Sequence, residues 1–561
     1  MKNRKILSLL AFLSISFAVF ANNDKGIEFY KAGMYEAAKN FFLQQKSENP
    51  DEQAVAAYYL GLIYTKEQNA NAAVAEFKRA INIAPKLPYG YIGQGRVELK
   101  NNVKEAEKLF KQAEGLGKKN ADVQVQIADA YFANNMIAKA TSTLEKAKKI
   151  NKEFADIYLL EGDMIIKSNV NGENIGKAMN RYDDADYFSK NTSKLAFVKL
   201  AQMYRLQNRQ DLALNKINAA LALDNDYLPA YIVLGDIKNS QKRYKEAIEA
   251  YEKVIATCEP PIEVFETYAQ ALYLDNQFDK SLQKIQMVFT QKTNNATLRR
   301  LEAYNLYELG EYNDGVQKME KFMVSVPQDK HIYLDFITLG RLYTKQNNYD
   351  KAIENFNKAI ALDTENPDTY KEIALVYSSA GQYDEALSSF EKYFELNPNY
   401  LNIELYLYSE ICINAADAIC FEVSDALSKE IIEAKRALLE KYVEKGVWAN
   451  TELIKRAPDS YLGYFGRANI YARVDTYMQR AGQNIEGMAK PFYDEAIEFM
   501  INNNADSKLN NYIVQSYQYL RSYYYIKKDT KSMIEVVKKI LAIDPNNARA
   551  REDAKILKIK I

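Results

Sequence analysis

Small residues recur along the chain at a nearly fixed interval. Eleven glycine or alanine residues stand mostly 33 to 35 positions apart: Gly26, Gly61, Gly95, Ala128, Gly162, Ala201, Gly235, Ala269, Ala303, Gly340 and Ala374. A second small residue follows each of them, twelve positions later in nine of the eleven copies. A period in this range is typical of a helical solenoid, in which stacked copies of one unit share a continuous core. The period therefore predicts an all-α fold of repeated helix pairs that approach closely at the small residues.

Each copy contains two stretches with helical spacing of apolar residues. In the tenth copy these are residues 333–346 and 349–362, joined by a polar turn at 346–348. The eleventh copy has Gly381 in its turn, where glycine suits the left-handed conformation that ends a helix. A large residue follows four positions after each second small residue: Phe42, Phe77, Phe110, Leu144, Tyr182, Ile217, Tyr251, Ile285, Met319, Phe356 and Phe390. We expect this large side chain to fill the space between one helix pair and the next.

The tenth copy carries the residue pattern of a known repeat family. The pattern is a large residue, Leu-Gly and Tyr, then Ala, Phe and Ala at set offsets, and it stands here as Phe336, Leu339, Gly340, Tyr343, Ala352, Phe356 and Ala359. At these residues the chain resembles the tetratricopeptide repeat (TPR) family. The resemblance implies an all-α TPR solenoid, a right-handed superhelix of antiparallel helix pairs with a concave surface lined by the first helices. It covers residues 22–400 as about eleven units and residues 506–561 as a final unit with a capping helix.

Two segments depart from the regular repeat. The fifth unit has four extra residues in a stretch rich in Asn and Gly, from which we expect a longer loop over Ser168 to Gly176. Residues 401–505 keep helical periodicity but lose the small-residue register, which predicts a divergent helical region with long loops, one of them around residues 476–486. Pro491 is predicted to lie in the first turn of the next helix. This region resembles the closing part of exported TPR proteins of Gram-negative bacteria, except that Gly466 stands where those proteins commonly carry Trp.

The first 21 residues predict export. Lys2, Arg4 and Lys5 precede an apolar run, residues 6–20, and a small residue at Ala21 suits a cleavage site. This is the pattern of a secretory signal peptide, residues 1–21, and the run is too short to span a membrane. We expect a periplasmic protein, cleaved near Ala21 and peripherally associated with the outer membrane or free, with no transmembrane segment afterwards. An uncleaved amphipathic anchor is the alternative.

The charge balance argues against nucleic-acid partners. The chain has 74 basic and 74 acidic residues, and loss of the signal peptide leaves 71 basic residues. A mature chain with a net charge of minus three lacks the basic footprint of a protein that binds nucleic acid or an anionic membrane.

Three cysteines cannot form a complete disulfide framework. Cys412 and Cys420 could pair only if the chain reverses between them, around residues 414–417, because eight residues along one helix separate two side chains by about 12 Å. The other interpretation is two buried, reduced thiols. Cys258 stands alone in the sequence.

Residue types that common catalytic sites need are scarce. His331 is the single histidine, which excludes a HExxH zinc motif and argues against an imidazole-based triad. Gly90, Gly93 and Gly95 fall inside a helix pair and do not follow a strand, so they are not a nucleotide-binding loop. We predict no catalytic residues, no cofactor and no metal site, and hence no enzyme. An active site concealed in residues 401–505 is the alternative of that class.

A concave solenoid surface predicts binding. We interpret the protein as a periplasmic scaffold that holds a protein partner in its groove, within an outer-membrane or envelope assembly or a secretion complex. By resemblance to the family, Arg341, Lys345 and Lys371 lie in the groove as a basic cluster that could bind a carboxylate or an acidic segment. The other interpretation of these three residues is an ordinary charged surface.

The many tyrosines suggest an alternative function. Exposed tyrosines in the groove could bind a periplasmic glycan, either peptidoglycan or another polysaccharide. Five tyrosines, however, share one repeat position that the repeat geometry assigns to the packing surface: Tyr64, Tyr131, Tyr204, Tyr343 and Tyr377. We therefore expect most of the tyrosines to belong to the core.

Overall fold

A computed structural model describes residues 23–168, 172–290, 295–503 and 507–559. In these ranges the chain forms α-helices joined by short turns, with one 3₁₀ turn at Gln328–Lys330 and no β-strand. The chain divides into two compact units, Met1–Leu309 and Gly310–Ile561, called here the N-terminal unit and the C-terminal unit. The predicted signal peptide lies outside the described residues. The predicted boundaries at residues 400 and 505 mark changes of repeat type and stay predictions.

The described part of the N-terminal unit contains seventeen α-helices. The first sixteen form eight antiparallel hairpins, each made of two consecutive helices that pack on each other. The helices are α1 (Asp24–Lys31), α2 (Tyr35–Gln44), α3 (Pro50–Lys66), α4 (Ala70–Ile83), α5 (Tyr89–Glu98), α6 (Val103–Leu116), α7 (Ala121–Ala133), α8 (Ile137–Ile150), α9 (Ala155–Ser168), α10 (Gly172–Phe188), α11 (Lys194–Leu206), α12 (Gln210–Leu223), α13 (Leu228–Ser240), α14 (Tyr244–Ile255), α15 (Ile262–Leu274), α16 (Phe278–Thr290) and α17 (Ala296–Glu308). The repeated hairpin that the small residues predict is confirmed.

The turns within hairpins use a left-handed residue to reverse the chain. Gly33, Asn135 and Asn208 have φ angles of 82°, 60° and 57°, and each is the second residue after the end of a first helix. A glycine or asparagine tolerates this conformation at low cost, which stops the helix and aims the chain back along it. In the C-terminal unit Gly381 has a φ of 76°, as its position in the sequence predicts.

Large side chains of second helices lie against the small residues of first helices. A Cβ atom added to Gly61 on α3 would stand 2.4 Å from Cε1 of Phe77 on α4, and one added to Gly93 on α5 would stand 2.1 Å from Cδ1 of the same ring. Phe77 is fully buried. The ring is therefore held between its own hairpin and the next one, which confirms the predicted packing and adds the contact within the hairpin.

The predicted loop over Ser168 to Gly176 is wrong. Helix α9 ends at Ser168 and α10 begins at Gly172, while residues 169–171 lie outside the described residues. Helix α10 has 17 residues where α4, α6 and α8 have 14, so the extra residues add most of a turn to its start. Ile175 and Ala178 are buried on this part of the helix, and the packing of an apolar face outweighs the turn-forming tendency of the neighbouring Asn and Gly.

The C-terminal unit contains twelve α-helices in its described residues. Helices α19 and α20, and then α21 and α22, form hairpins that match the tenth and eleventh copies. The helices are α18 (Tyr312–Ser325), α19 (Tyr333–Lys345), α20 (Tyr349–Leu362), α21 (Pro367–Ser379), α22 (Tyr383–Leu396), α23 (Asn402–Glu422), α24 (Lys429–Arg456), α25 (Tyr461–Arg480), α26 (Lys490–Asn502), α27 (Asn510–Ile526), α28 (Thr530–Ile543) and α29 (Ala548–Ile556).

Long helices replace the regular hairpin in the divergent region. Helices α23, α24 and α25 have 21, 28 and 20 residues and pack on one another. Pro491 lies in the first turn of α26, as predicted. The predicted loop around residues 476–486 starts later, because α25 continues to Arg480. The carboxylate of Asp475 accepts hydrogen bonds from the backbone N–H groups of Gly487, Met488 and Ala489 at 2.8 to 3.1 Å, so the loop is fixed by a buried anchor.

The interpretation of Cys412 and Cys420 as a disulfide is wrong. Both residues lie on α23, which runs from Asn402 to Glu422 without a reversal, and both are free and buried. Their side chains are eight residues apart on one straight helix, beyond the reach of a disulfide. The alternative of two buried, reduced thiols is confirmed.

Candidate functional site

First helices in the middle of the N-terminal unit are buried on every side. Eleven of the 17 residues of α3 and nine of the 13 residues of α7 are buried. A helix that is buried all round lies inside a structure, whereas a helix that lines an open groove keeps one face in water. The inner surface of this unit is therefore covered by other parts of the same unit.

Ion pairs between distant repeats close this inner surface. Lys31 Nζ on α1 lies 2.5 Å from Asp156 Oδ2 on α9, and Lys194 Nζ on α11 lies 2.9 Å from Glu28 Oε1 on α1. These contacts join the first repeat to the fifth and sixth repeats. The open, extended groove that the family resemblance implies is thus narrowed in the N-terminal unit to cavities that remain partly open to solvent.

One cavity inside the N-terminal unit has an aromatic lining. It has a volume of about 380 Å³ and lies among α1, α3, α7 and α9; we call it the aromatic cavity. The ring centroid of Tyr30 lies 5.5 Å from that of Tyr35 and 5.2 Å from that of Tyr59. Burial raises the pKa of Tyr30, so its hydroxyl stays neutral at physiological pH. Apolar side chains of α7, α9 and α11 form another part of the wall: Val125, Phe132, Leu159, Leu160 and Leu195. Charged side chains line the cavity as well: Lys31, Lys66, Asp129, Asp156, Asp163 and Lys167.

A second cavity adjoins the first and is basic. Its volume is about 520 Å³, and Lys66 and Lys167 line both cavities. Arg96 and Lys100 are its other two cations, and no carboxylate is among the described residues that line it. We call it the basic cavity. Its polar lining is Thr65, Gln68, Asn101 and Asn134.

The four cations of the basic cavity differ in their partners. Arg96 is buried, and its Nη1 donates a hydrogen bond to Asp129 Oδ2 at 2.6 Å. Lys66, Lys100 and Lys167 are exposed to solvent, and none of them pairs with a carboxylate among the described residues. Burial is the largest cause of a lowered pKa at Lys66; Arg96 and Lys167 lower it further, whereas Asp129 raises it. An anion near Lys66 would relieve this repulsion.

Comparison with protein families identifies the repeat. Models described as TPR repeat or tetratricopeptide repeat match residues 54–87, 99–163, 228–259, 340–381 and 367–400. The chain is a tetratricopeptide repeat protein. The matched segments include all of α7 and most of α3 and α9, so three of the helices that line the cavities lie largely in recognised repeats.

Several solved structures are similar to this chain. The C-terminal part of a TPR repeat-containing protein from Cytophaga hutchinsonii is 22% identical, with 53% of this chain and 100% of that chain covered and a TM-score of 0.40. A tetratricopeptide repeat protein from Parabacteroides merdae is 15% identical, with 46% and 99% covered and a TM-score of 0.32. MamA from Desulfovibrio magneticus is 16% identical, with 30% and 95% covered and a TM-score of 0.28. A comparison with curated protein sequences found no match.

The three residues predicted to bind a partner lie in the C-terminal unit of the TPR chain. Arg341 Nε on α19 donates a hydrogen bond to Glu372 Oε2 at 2.7 Å, and a second bond joins the same two side chains. Lys371 Nζ on α21 lies 3.5 Å from Glu404 Oε1 and close to Asp368. Lys345 is exposed. Two of the three cations therefore face carboxylates of the same chain, and their role in partner binding stays a prediction.

The tyrosines at the shared TPR position take part in packing. Tyr131 and Tyr343 are buried, and Tyr64, Tyr204 and Tyr377 are half-buried. Four of these rings lie beneath a cation of a neighbouring second helix or of the turn before it, with distances to the ring centroid of 4.9 to 5.6 Å: Lys39 over Tyr64, Lys139 over Tyr131, Arg209 over Tyr204 and Lys351 over Tyr343. The covered ring faces support the interpretation of these tyrosines as structural.

Sequence reasoning missed the lysines of the basic cavity. Taken alone, each lysine is an ordinary cation near a helix C-terminus, where its charge interacts favourably with the helix dipole. Lys66, Lys100 and Lys167 are, however, 34 and 67 positions apart, which is one repeat and two repeats. The same repeat position in stacked hairpins comes to the same edge of the solenoid, so this spacing was the available signal.

The described ranges contain neither a metal-binding cluster nor a helix suited to cross a membrane. Within residues 23–168, 172–290, 295–503 and 507–559, no group of three His, Cys, Asp or Glu side chains is arranged to hold a metal ion. The helices of these ranges include none with the length and apolar character that a membrane crossing requires.

Proposed function

We propose that this TPR protein is a non-enzymatic scaffold that binds a partner protein in the cavities of its N-terminal unit. The main support for this proposal is that four consecutive first helices, α3, α5, α7 and α9, contribute to two adjoining cavities. Their volumes of about 380 and 520 Å³ lie within the range of ligand-binding sites. A ligand there contacts several repeats at once, which is how a solenoid recognises an extended partner.

Side-chain pairing supports a binding role over a catalytic one. The three carboxylates at the aromatic cavity face cations: Asp129 pairs with Arg96, Asp156 with Lys31 and Asp163 with Lys199. A general acid or base needs a proton that it can exchange near neutral pH, and a carboxylate held by an ion pair is a poor candidate. The single histidine, His331, lies outside the N-terminal unit, with Nε2 3.1 Å from Val326 O.

The cellular location of the protein is the second part of this proposal. The signal-peptide pattern of residues 1–21 supports export to the periplasm, and a net charge near zero suits a protein partner over nucleic acid. The partner would then belong to the envelope or the outer membrane. Cell fractionation followed by N-terminal sequencing tests this location. It should find a periplasmic chain that begins at Asn22, and a cytoplasmic chain that begins at Met1 would refute it.

Affinity capture with a matched pair of variants tests the binding role. Val97 on α5 lines the basic cavity and is half-buried, whereas Val103 at the start of α6 is exposed outside both cavities. Val97→Trp should fill the cavity and abolish capture of a stoichiometric protein partner by the full chain, and Val103→Trp should leave capture unchanged. Helix content from circular dichroism checks that both variants fold.

The same experiment tests the glycan alternative. Co-sedimentation of the full chain with purified cell-wall material, together with no captured protein, would contradict the scaffold and favour binding of peptidoglycan or polysaccharide. The geometry favours a protein partner, because four of the five repeat-position tyrosines that could stack on sugars are buried or lie beneath cations.

A further inference from the structure

Helix α1 has two kinds of neighbour in the N-terminal unit. It packs on α2 and α3, the next helices along the chain. A Cβ added to Gly26 on α1 would stand 2.5 Å from Cδ1 of Phe41 on α2. Asn23, just before α1, donates a hydrogen bond from Nδ2 to the backbone oxygen of Glu52 on α3 at 3.0 Å. The backbone of α1 packs much less closely on α9 and α11, so the first hairpin is fixed mainly to the second hairpin.

Ion pairs join α1 to α9 and α11 across a boundary that we call the seam. Lys31 Nζ on α1 lies 2.5 Å from Asp156 Oδ2 on α9, and these side chains are 31% and 22% exposed. Lys194 Nζ on α11 lies 2.9 Å from Glu28 Oε1 on α1 and 2.8 Å from Asp224 Oδ2. An ion pair that water still reaches shifts an equilibrium about fivefold or less, and salt weakens it. The seam is therefore a contact that can open while the hairpins stay folded.

The seam bounds the aromatic cavity. Tyr30 and Lys31 of α1 line one side of this cavity, and Asp156 of α9 and Leu195 of α11 line the other. Its volume of about 380 Å³ suits a ligand of drug size, whereas an extended protein segment needs more room. The distance between the first and fifth repeats is the sum of small rotations between successive hairpins. A small change in each rotation therefore separates the two sides of the cavity without unfolding a helix.

We infer that the seam is an autoinhibitory closure: it holds α1 against α9 and α11 in the free protein, and its opening admits the partner's segment to the aromatic cavity. This inference rests on the proposed function and adds how access to the cavities is controlled. The charges of the seam are paired with one another, so an entering segment competes with these pairs. Higher ionic strength weakens the pairs and should therefore favour the open form.

A distance measurement across the seam tests whether it opens. Asn40 on α2 and Asn180 on α10 are exposed and uncharged, and they lie in the first and fifth repeats. Spin labels on the full chain with N40C/N180C and C258S report their separation by double electron–electron resonance; the other two cysteines are buried. A single short distance should dominate at low salt. A longer distance should gain population as salt is raised from about 0.05 to about 0.5 M.

Two double variants with the same change of charge locate the effect. K31Q/K194Q removes both cations of the seam. K108Q/K358Q removes cations that pair with carboxylates of their own helices, Glu105 and Glu354. At low salt the seam variant should have an open fraction about tenfold larger than the original chain, since two ion pairs are lost. It should also lose most of the response to salt, and the control variant should keep the original distances and response.

Helix content guards against misfolding as the cause. Circular dichroism should be the same for the original chain and both variants, because the hairpins stay folded in the open form. Equal distance distributions in the original chain and K31Q/K194Q, or equal opening in K108Q/K358Q, would overturn the inference. A distance that does not respond to salt in the original chain would overturn it as well.

A locked seam tests the autoinhibitory role. In K31C/D156C with C258S, a short bismaleimide joins the two new thiols, whereas N-ethylmaleimide caps each of them without a bridge. The capped chain should capture the cellular partner at least as well as the original chain, and the bridged chain should lose capture. If the bridged chain still captures the partner, the inference fails and the scaffold stands. If the original chain captures no protein, the scaffold fails, whereas opening by salt would still support the seam.

Discussion

Replacement of the small residue of a TPR hairpin by alanine should destabilise the fold where a large ring packs against that residue. Gly61 on α3 lies against Phe77, and an added Cβ would stand 2.4 Å from the ring. Phe77 cannot move away, because Gly93 packs against the other side of its ring. A Cβ added to Gly93 would stand 2.1 Å from that ring. The matched control is Gly115 on α6, which is exposed and has no atom within 4 Å of an added Cβ. The same change, Gly→Ala, should therefore have opposite effects at the two positions.

The magnitudes follow from two opposing contributions. Alanine in place of glycine in a helix gains about 1 kcal/mol. Overpacking a closed core costs about 1–3 kcal/mol, and the two-sided confinement of Phe77 favours the upper end. Gly61→Ala should therefore lower the free energy of local opening by about 2 kcal/mol, and Gly115→Ala should raise it by about 1 kcal/mol.

Hydrogen exchange followed by mass spectrometry measures these changes one repeat at a time. A repeat protein of this length need not unfold in a single step, so local exchange is a better measure than a global midpoint. Gly61→Ala should speed amide exchange in α3 to α5 about 30-fold, and Gly115→Ala should slow it in α6 about fivefold. The double variant Gly61→Ala, Phe77→Leu should recover part of the loss. Slower exchange in Gly61→Ala would refute the close-packing argument.

Two further predictions concern the C-terminal helix and the thiols. Asp553→Ala on α29 leaves buried Arg521 without the carboxylate that accepts both of its hydrogen bonds at 2.6 Å. Removal of one partner of a buried pair costs about 3–5 kcal/mol, so α29 should lose its protease resistance. Unchanged resistance would contradict this prediction. Burial raises the pKa of Cys258 and of Cys420 from 9.0 to about 11, which cuts the thiolate fraction at pH 8 about 100-fold. Iodoacetamide should thus label both thiols about 100-fold more slowly in the folded chain than in urea, and rapid labelling of the folded chain would be evidence against their burial.

The regular hairpins could be predicted because each copy repeats the same local information. The second helix of the tenth copy was predicted over residues 349–362 and is found at Tyr349–Leu362. Its boundaries depend on a polar turn before it and on buried Ala352, Phe356 and Ala359 within it, all of which are visible in the sequence. Agreement among many copies makes up for the weakness of each single pattern.

The irregular segments could not be predicted at the same level. Residues 168–176 have a loop-like composition, yet residues 172–176 belong to α10, where Ile175 is buried. Helix α25 continues to Arg480 beyond the expected start of a loop, because Tyr477 and Met478 are buried against the rest of the unit. In both cases tertiary packing decides the outcome, and a single copy offers no second pattern to compare it with.

The candidate site was the least predictable part. The contact between Lys31 and Asp156 joins residues 125 positions apart, and it depends on small rotations that accumulate over several repeats. No local pattern encodes that sum. The sequence instead directed attention to Arg341 and Lys371, whose charges the structure pairs with Glu372 and Glu404.

Site-specific photocrosslinking tests most directly whether the partner binds inside the N-terminal unit. Asn101 lines the basic cavity, whereas Gln112 lies exposed on the second helix α6; both are uncharged, so a benzoylphenylalanine at either position leaves the charge unchanged. The account predicts that the full chain crosslinks its partner from position 101 and not from position 112. A crosslink from position 112 with none from position 101 would contradict it.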